Sequence, residues 1–296
     1  MENAISIGLG RWRSSPIEWK LQWLLRIGVA LEFIGHGAFG ILGKEAWLAY
    51  YHVLGIPDNI GWTMMPLTGA VDISLGILVL LRPTRALIAW MAFWGLFTAT
   101  LRPLAGQGIW ELVERTYNYG GPLMLLLLFG VGHNAREWFE RVQQVPRLTA
   151  QRAKAFFQGF KWIIGLYLIG HGGLGLITQK PLLIELYESI GLTSLVSDPA
   201  SLNTFIGVFE MGLGVVVLIV PTTTILLTVL GWKLGTEFLY VTSGAYGAPF
   251  EVFERGGSYV APLAAIACQH IVRREEKTVH LKGTPLVGPP RLGVRS

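Results

Sequence analysis

The sequence predicts an all-α, polytopic integral membrane protein of eight transmembrane helices, arranged as two parallel-repeat four-helix bundles. Three observations lead there. The 296 residues are 52% hydrophobic and only 15% charged, too apolar for a soluble domain of this length. Eight segments reach or approach the about 20 apolar residues that a helix needs to cross the hydrocarbon. Finally, three blocks of sequence recur in one order in the two halves.

The first segment, 21–43, follows Arg11, Arg13 and Lys20 and has no small-residue cleavage site, so it reads as a retained helix. Segments 63–82 and 85–104 come next, with Arg82 and Arg85 between them, and 119–133 completes the first half. Residues 134–159 carry Trp138, Phe139, Phe156 and Phe157 among Arg136, Arg141, Arg147, Arg152 and Lys154, the composition of a segment lying in the membrane interface. Segments 160–179, 203–221, 223–243 and 258–272 form the second half. Arg273, Arg274 and Lys277 follow the last. This divides the chain into an N-terminal segment (1–20), a first repeat (21–133), a connector (134–159), a second repeat (160–272) and a tail (273–296). The basic residues mark one side, which the positive-inside rule makes cytoplasmic, with both termini there and a multi-pass placement in the cell membrane. Topology therefore explains the net charge of +5, and nucleic acid is not an expected partner.

The repeat is legible residue by residue. Ile34-Gly35-His36-Gly37 returns as Ile169-Gly170-His171-Gly172. Gly69 to Gly76 around Asp72, followed by Pro83, returns as Gly207 to Gly214 around Glu210, followed by Pro221. Glu111-x-x-Glu114-Arg115 with Tyr119 and Pro122 returns as Glu251-x-x-Glu254-Arg255 with Tyr259 and Pro262. Each copy holds an even number of spans, so the copies are related by an axis along the membrane normal and not by inversion.

Ionisable groups inside a membrane cost about 2.5–3.5 kcal/mol each on insertion scales, and they face a bundle interior where they bind, conduct or lock helices. On this ground the candidate ligand-binding residues are Glu32, His36, Asp72, Arg102, Glu114 and Tyr119 in the first half, and His171, Glu210, Glu254 and Tyr259 in the second. Glu32, His36, Asp72, Arg102 and Glu114 are expected around one outer cavity; Tyr167, His171, Glu210, Tyr240 and Glu254, with Lys233 and Glu237, around its counterpart. Two uses compete for Asp72 and Glu210, a binding role and a structural lock between helices. Lys233 and Glu237 are expected to form an intrahelical ion pair; in each Glu-x-x-Glu-Arg element the i,i+3 carboxylates suit a hard cation, but the adjacent Arg favours an ion pair that shapes the loop. Trp47, Tyr50, Tyr51 and Trp62 suit interface anchors and equally the mouth of a site for a flat ligand. The single cysteine, Cys268, excludes dithiol chemistry and a disulfide within the chain.

The Gly-rich first helix with its histidine, the Leu54-Gly55-Ile56-Pro57 and Ile190-Gly191-Leu192 stretches, and the acidic residue in a Gly-rich second helix give each half a pattern that resembles the DoxX-like four-helix membrane proteins. The resemblance implies the four-helix fold, and a role in quinone-linked redox chemistry or as an accessory subunit. The leading expectation is thus a redox-associated membrane subunit whose protonatable outer cavities hold a quinone or a haem. Alternatives are a solute or metal-ion transporter using the buried acids, and a structural subunit of a larger membrane complex. The bilayer and other membrane subunits are the expected partners.

Overall fold

A computed structural model describes residues 15–142, 145–244 and 247–283, with only the backbone of 278–283. Arg11, Arg13 and most of the N-terminal segment, with residues 284–296 of the tail, lie outside the described residues. Thirteen α-helices follow one another: α1 (Ile17–Leu42), α2 (Leu48–Val53), α3 (Asp58–Leu81), α4 (Arg85–Leu104), α5 (Ile109–Glu114), α6 (Thr116–Phe129), α7 (Ala135–Phe139), α8 (Ala150–Leu176), α9 (Pro181–Glu188), α10 (Pro199–Ile219), α11 (Thr223–Thr242), α12 (Ala248–Glu254) and α13 (Gly256–Gly283). Among the described residues there is no strand beyond one isolated bridge, between Thr84 and Arg141.

Among the described residues five helices, α1, α3, α4, α10 and α11, are long and apolar enough to cross a membrane; α8 and α9, bent by 87° at their junction, make a sixth if taken together. The exposed faces of α3, α4, α10 and α11 carry Leu67, Val71, Phe93, Leu96, Phe205, Val208, Leu227 and Phe238, a belt that lipid rather than water accommodates. The chain is a helical, membrane-spanning protein. Local signals set the ends. Thr84 and Thr222, each one residue after a proline, cap α4 and α11 by accepting the amide hydrogens of Leu87 and Ile225 at 3.2 and 3.3 Å. α6 has only 14 residues, about 21 Å of helix against about 30 Å of hydrocarbon. It begins directly after α5, with Arg115 at the break, as α13 begins directly after α12 at Arg255.

The connector differs from expectation. Thr149 caps α8 at its start by accepting the amide of Arg152, and the helix then runs unbroken from Ala150 into the apolar segment. Phe156, expected at the interface, is a core residue and Phe157 packs against the core, because every third or fourth residue of this stretch continues the buried face of the span.

The halves also do not stand apart as two separate bundles. One central cluster draws Leu21, Leu25 and Val29 from α1, Leu125 and Leu128 from α6, Phe160, Ile164 and Leu168 from α8, and Ala264, Ala265 and Cys268 from α13. The other long helices are peripheral: the apolar window of α1 is 67% buried, those of α3, α4, α10 and α11 only 28–33%. Glycine makes this interleaving possible, since backbones approach closely where there is no side chain. A Cβ on Gly35 of α1 would run into the backbone of Glu254 in α12, and one on Gly170 of α8 into the backbone of Glu114 in α5. Each half therefore seats the short helix of the other. Within each half the first long helix meets the Gly-rich one: a Cβ on Gly37 would lie 2.5 Å from the carbonyl oxygen of Gly69, and one on Gly172 2.5 Å from that of Gly207.

The termini share one end, where Arg274 reaches Glu18 at 2.7 Å. Arg85 clamps the end of α6 there, donating to the carbonyls of Gly130, Glu137 and Phe129 at 2.7, 2.9 and 3.2 Å. Arg26, a buried cation, donates to the carbonyl of Val79 at 2.9 Å and to that of Leu80, satisfying the end of α3.

Gly37→Ala forces α1 and α3 apart and is expected to cost about 1–3 kcal/mol, lowering the melting temperature in detergent by several degrees. Gly231→Ala, in open space on the exposed face of α11, is the control and should leave it unchanged or raise it. Equal melting of both variants and wild type would refute the close approach.

Candidate functional site

At the end opposite the termini, the two halves use equivalent positions in opposite ways. In the second half Glu210 is enclosed by partners. His171 Nδ1 bonds one of its oxygens, Trp232 Nε1 donates to the other at 2.8 Å, and Lys233 Nζ lies 3.5 Å away. Lys233 pairs with Glu237 at 2.9 Å, and Glu237 accepts from Tyr167 at 3.0 Å and meets Arg255 Nε at 2.9 Å. Lys233 and Glu237 are at most 1% exposed. A cluster of Leu174, Leu183, Leu186, Tyr187, Ile206 and Tyr240, with Trp232 packed against it, fills the space beside them. The intrahelical pair expected at Lys233 and Glu237 is present, as part of a larger network.

The first half is open. Asp72 is fully buried, yet neither of its oxygens has a hydrogen-bond partner, and Oε2 of Glu32 and Nε1 of Trp94 are likewise unbonded. These groups face a small polar cavity of about 20 Å³ shared with His36, Thr98, Asn118 and the backbone of Gly95. Through His36, Trp94 and Thr98 it adjoins an apolar cleft of about 130 Å³ between α3 and α4, roofed by α2. Trp47, Tyr50, Tyr51, Trp94 and Phe97 wall the cleft, and Leu54 and Met64 form an exposed rim on the lipid-facing surface. His36 stacks on Trp47 at 4.4 Å between ring centroids. Trp62 takes no part in the cleft.

Position-by-position comparison of the halves explains the difference. Asp72 and Glu210 lie 138 positions apart, and the same offset pairs Trp94 with Trp232, Gly95 with Lys233, Ala99 with Glu237 and Arg102 with Tyr240. On the first helices the offset is 135 and pairs Glu32 with Tyr167. Each site thus has two acids, Asp72 with Glu32 and Glu210 with Glu237. Only the second has a lysine between them.

The outer carboxylates are exchanged with respect to expectation. Glu254, not Glu114, joins the first-half group, accepting from His36 Nδ1 at 2.9 Å. Glu114 instead lies with Tyr167, Arg115 and Arg255 around a central cavity of about 30 Å³. This follows from the cross-seating of α5 and α12, which sequence order alone conceals. Arg102 belongs to the cleft, donating to Tyr50 at 2.7 Å. Tyr119 and Tyr259 line none of these cavities; Tyr259 donates to the carbonyl of Val252 at 3.4 Å. Trp94 and Thr98 were missed in the sequence, though the shared offset of Trp94 and Trp232 was a usable signal.

A charged vestibule of about 370 Å³ lies over the cleft and between the halves. Glu111 anchors it, with Arg115 at 2.5 Å, Lys180 at 2.6 Å and Arg102 at 3.6 Å. Burial opposes the charge on Glu111, but these three cations outweigh it and hold its carboxyl down at about 2. Arg115 also pairs with Glu114 at 2.6 Å, and Arg255 pairs with Glu251, so both Glu-x-x-Glu-Arg elements are ion pairs that shape their loops. Among the described residues no group of three or more His, Cys, Asp or Glu is placed to hold a metal ion. No protein family, curated protein or solved structure matches the chain.

Two outcomes follow. Lys233→Met strands Glu210 and Glu237 and is expected to destabilise by about 3–5 kcal/mol, the cost of breaking a buried pair. Asp72→Asn breaks no bond and should leave the melting temperature unchanged or raised. Thermal unfolding in detergent distinguishes them, and an equal loss in both would refute the asymmetry. The second outcome concerns acid. Because the folded-state pKa of Glu111, about 2, lies below the ordinary glutamate value of about 4.5, its stabilising contribution, about 3 kcal/mol, is complete above pH 4.5 and fades as pH falls toward 2. The melting-temperature gap between wild type and Glu111→Gln should therefore narrow on acidification across that window; a gap independent of pH contradicts the network.

Proposed function

We propose that the chain is a solute-binding membrane protein in which the first half takes a small, lipophilic, ring-bearing ligand from the bilayer and exchanges a proton with it, while the second half is a scaffold. On this reading the chain crosses the membrane eight times as two copies of a DoxX-like unit, α6 and α13 being the fourth and eighth spans. The end carrying the termini is cytoplasmic, and the cleft belongs to the outer leaflet.

One observation carries the proposal: an aromatic cleft with an exposed apolar rim ends on two buried carboxyl groups, of which both oxygens of Asp72 and one of Glu32 have no hydrogen bond. Such groups hold protons or await a partner, since burying an uncompensated charge costs several kcal/mol. Aromatic walls suit a flat body by stacking, and the shared wall of His36, Trp94 and Thr98 leads its polar head to Asp72 and Glu32. When a ligand donor reaches these acids their protons have an exit, because His36 also bonds Glu254, a wall residue of the vestibule. A quinol-type head fits these terms. A bare metal ion fits less well, given the lack of a ligand group.

Extraction of gently purified protein is the test. Wild type should carry a lipophilic ring compound, detected by mass spectrometry, that is lost from Thr98→Trp, whose indole fills the cleft, while both melt alike. Identical extracts from the two proteins would overturn the proposal.

A further inference from the structure

The two sites of this chain each hold a pair of buried acids, Asp72 with Glu32 and Glu210 with Glu237, and only the second places a lysine between them. In the second, an ammonium group lies between two buried acids, 2.9 Å from Glu237 and 3.5 Å from Glu210. It also lies 5.0 Å from the centre of the Tyr167 ring. In the first, the matching position is Gly95, packed against the Asn118 carbonyl, and both oxygens of Asp72 and Oε2 of Glu32 are without a hydrogen bond at the small cavity that Gly95 lines. Both acids are at least nine-tenths buried, Asp72 at 0% and Glu32 at 3% exposed. The cavity is not sealed: through Trp94 and Thr98 it meets the aromatic cleft.

We propose that the first-half site binds an ammonium group attached to a lipophilic body, and that Lys233 is its covalent counterpart in the second half. This names the ligand class for the cleft described above and rests on that reading. The charge argument is direct. Two carboxyl groups side by side in a low-dielectric interior ionise together only beside a cation, and the second half meets that requirement with a tethered one. A free ammonium reaching the same place donates hydrogen bonds to Asp72 and Glu32, which accept them once deprotonated. Its body lies among Trp47, Tyr50, Tyr51 and Phe97, where aromatic faces favour a cationic neighbour and apolar walls a hydrocarbon one. The neutral phenols of a quinol satisfy the acceptors but leave the charge uncompensated. The ammonium comes from a free lipophilic amine or from an aminophospholipid headgroup; the recognition is shared.

Isothermal titration calorimetry on the full chain in dodecylmaltoside tests this, with 2-phenylethylamine, 3-phenyl-1-propanol and decylubiquinol as probes. The expected result is saturable binding of the amine, at least tenfold tighter than the alcohol or the quinol, and weakened at least tenfold by Asp72→Asn and by Glu32→Gln, both melting as wild type does. Competition by phosphatidylethanolamine, and not by phosphatidylglycerol, supports the proposal with a lipid headgroup as the source; no competition with the amine binding intact supports it with a free amine. If the alcohol or quinol binds as tightly as the amine, or if the acid substitutions leave amine binding unchanged, the ammonium assignment is overturned and the cleft reading survives. If no probe binds, the cleft reading fails with it. Should Asp72→Asn not fold, Glu32→Gln and the alcohol comparison decide alone.

Discussion

A carboxylate removed from water has to be compensated by a proton, a cation or several hydrogen-bond donors, and in a bilayer interior the demand is severe. This chain carries two such acids in each half. The second half answers with Lys233, Trp232, His171, Tyr167 and Arg255, all placed by helix geometry on faces that converge. The first sets only His36 and the Trp94 indole near Asp72, and leaves both of its oxygens without a hydrogen bond. Everything that distinguishes the halves, the filled cluster beside Glu210 and the open cleft beside Asp72, follows this division.

The division depends on a backbone framework that both halves share. Glycines at the crossings bring α1 onto α3 and α8 onto α10, and they let α12 seat on α1 and α5 on α8. Because these contacts are made by main chain, they are insensitive to what occupies the polar sites. Gly95 shows the constraint from the other side. A Cβ there would strike the carbonyl oxygen of Asn118, so α4 lies close against α6 at that point. The cavity has a rigid wall, not a gap left by a missing side chain alone.

How much of this the sequence revealed follows from what each signal measures. Hydropathy located the long helices because their lipid faces need apolar residues. It ended α8 too late at its start, since an apolar window cannot register a helix that begins in polar sequence at Thr149. Repetition exposed His36, Asp72 and their counterparts, because those residues recur. It could not assign Glu254 to His36 and Glu114 to the other half, since exchange of the short helices is a property of packing and leaves order and spacing untouched. Nor did counting charges reveal that Asp72 is bare; its sequence surroundings match those of Glu210, and the partner that matters, Lys233, sits on a different helix of the other half. Extending the alignment through the third helices, where Gly95 meets Lys233 and Ala99 meets Glu237, would have brought the asymmetry out.

On the proposed reading of the chain as two copies of one unit, this asymmetry has a physical rationale. Two identical units would carry the same residues at both sites, and both would either expend their acids on an internal lock or leave them uncompensated. Fusion frees the copies to diverge. The locked half contributes a buried network whose disruption is costly, while the shared core of α1, α6, α8 and α13 couples that stability to its neighbour. A site with bare buried acids lowers the stability of any fold that contains it. Joined to a locked partner through a common core, such a site is held in a stable fold, which is the condition the proposed binding role requires.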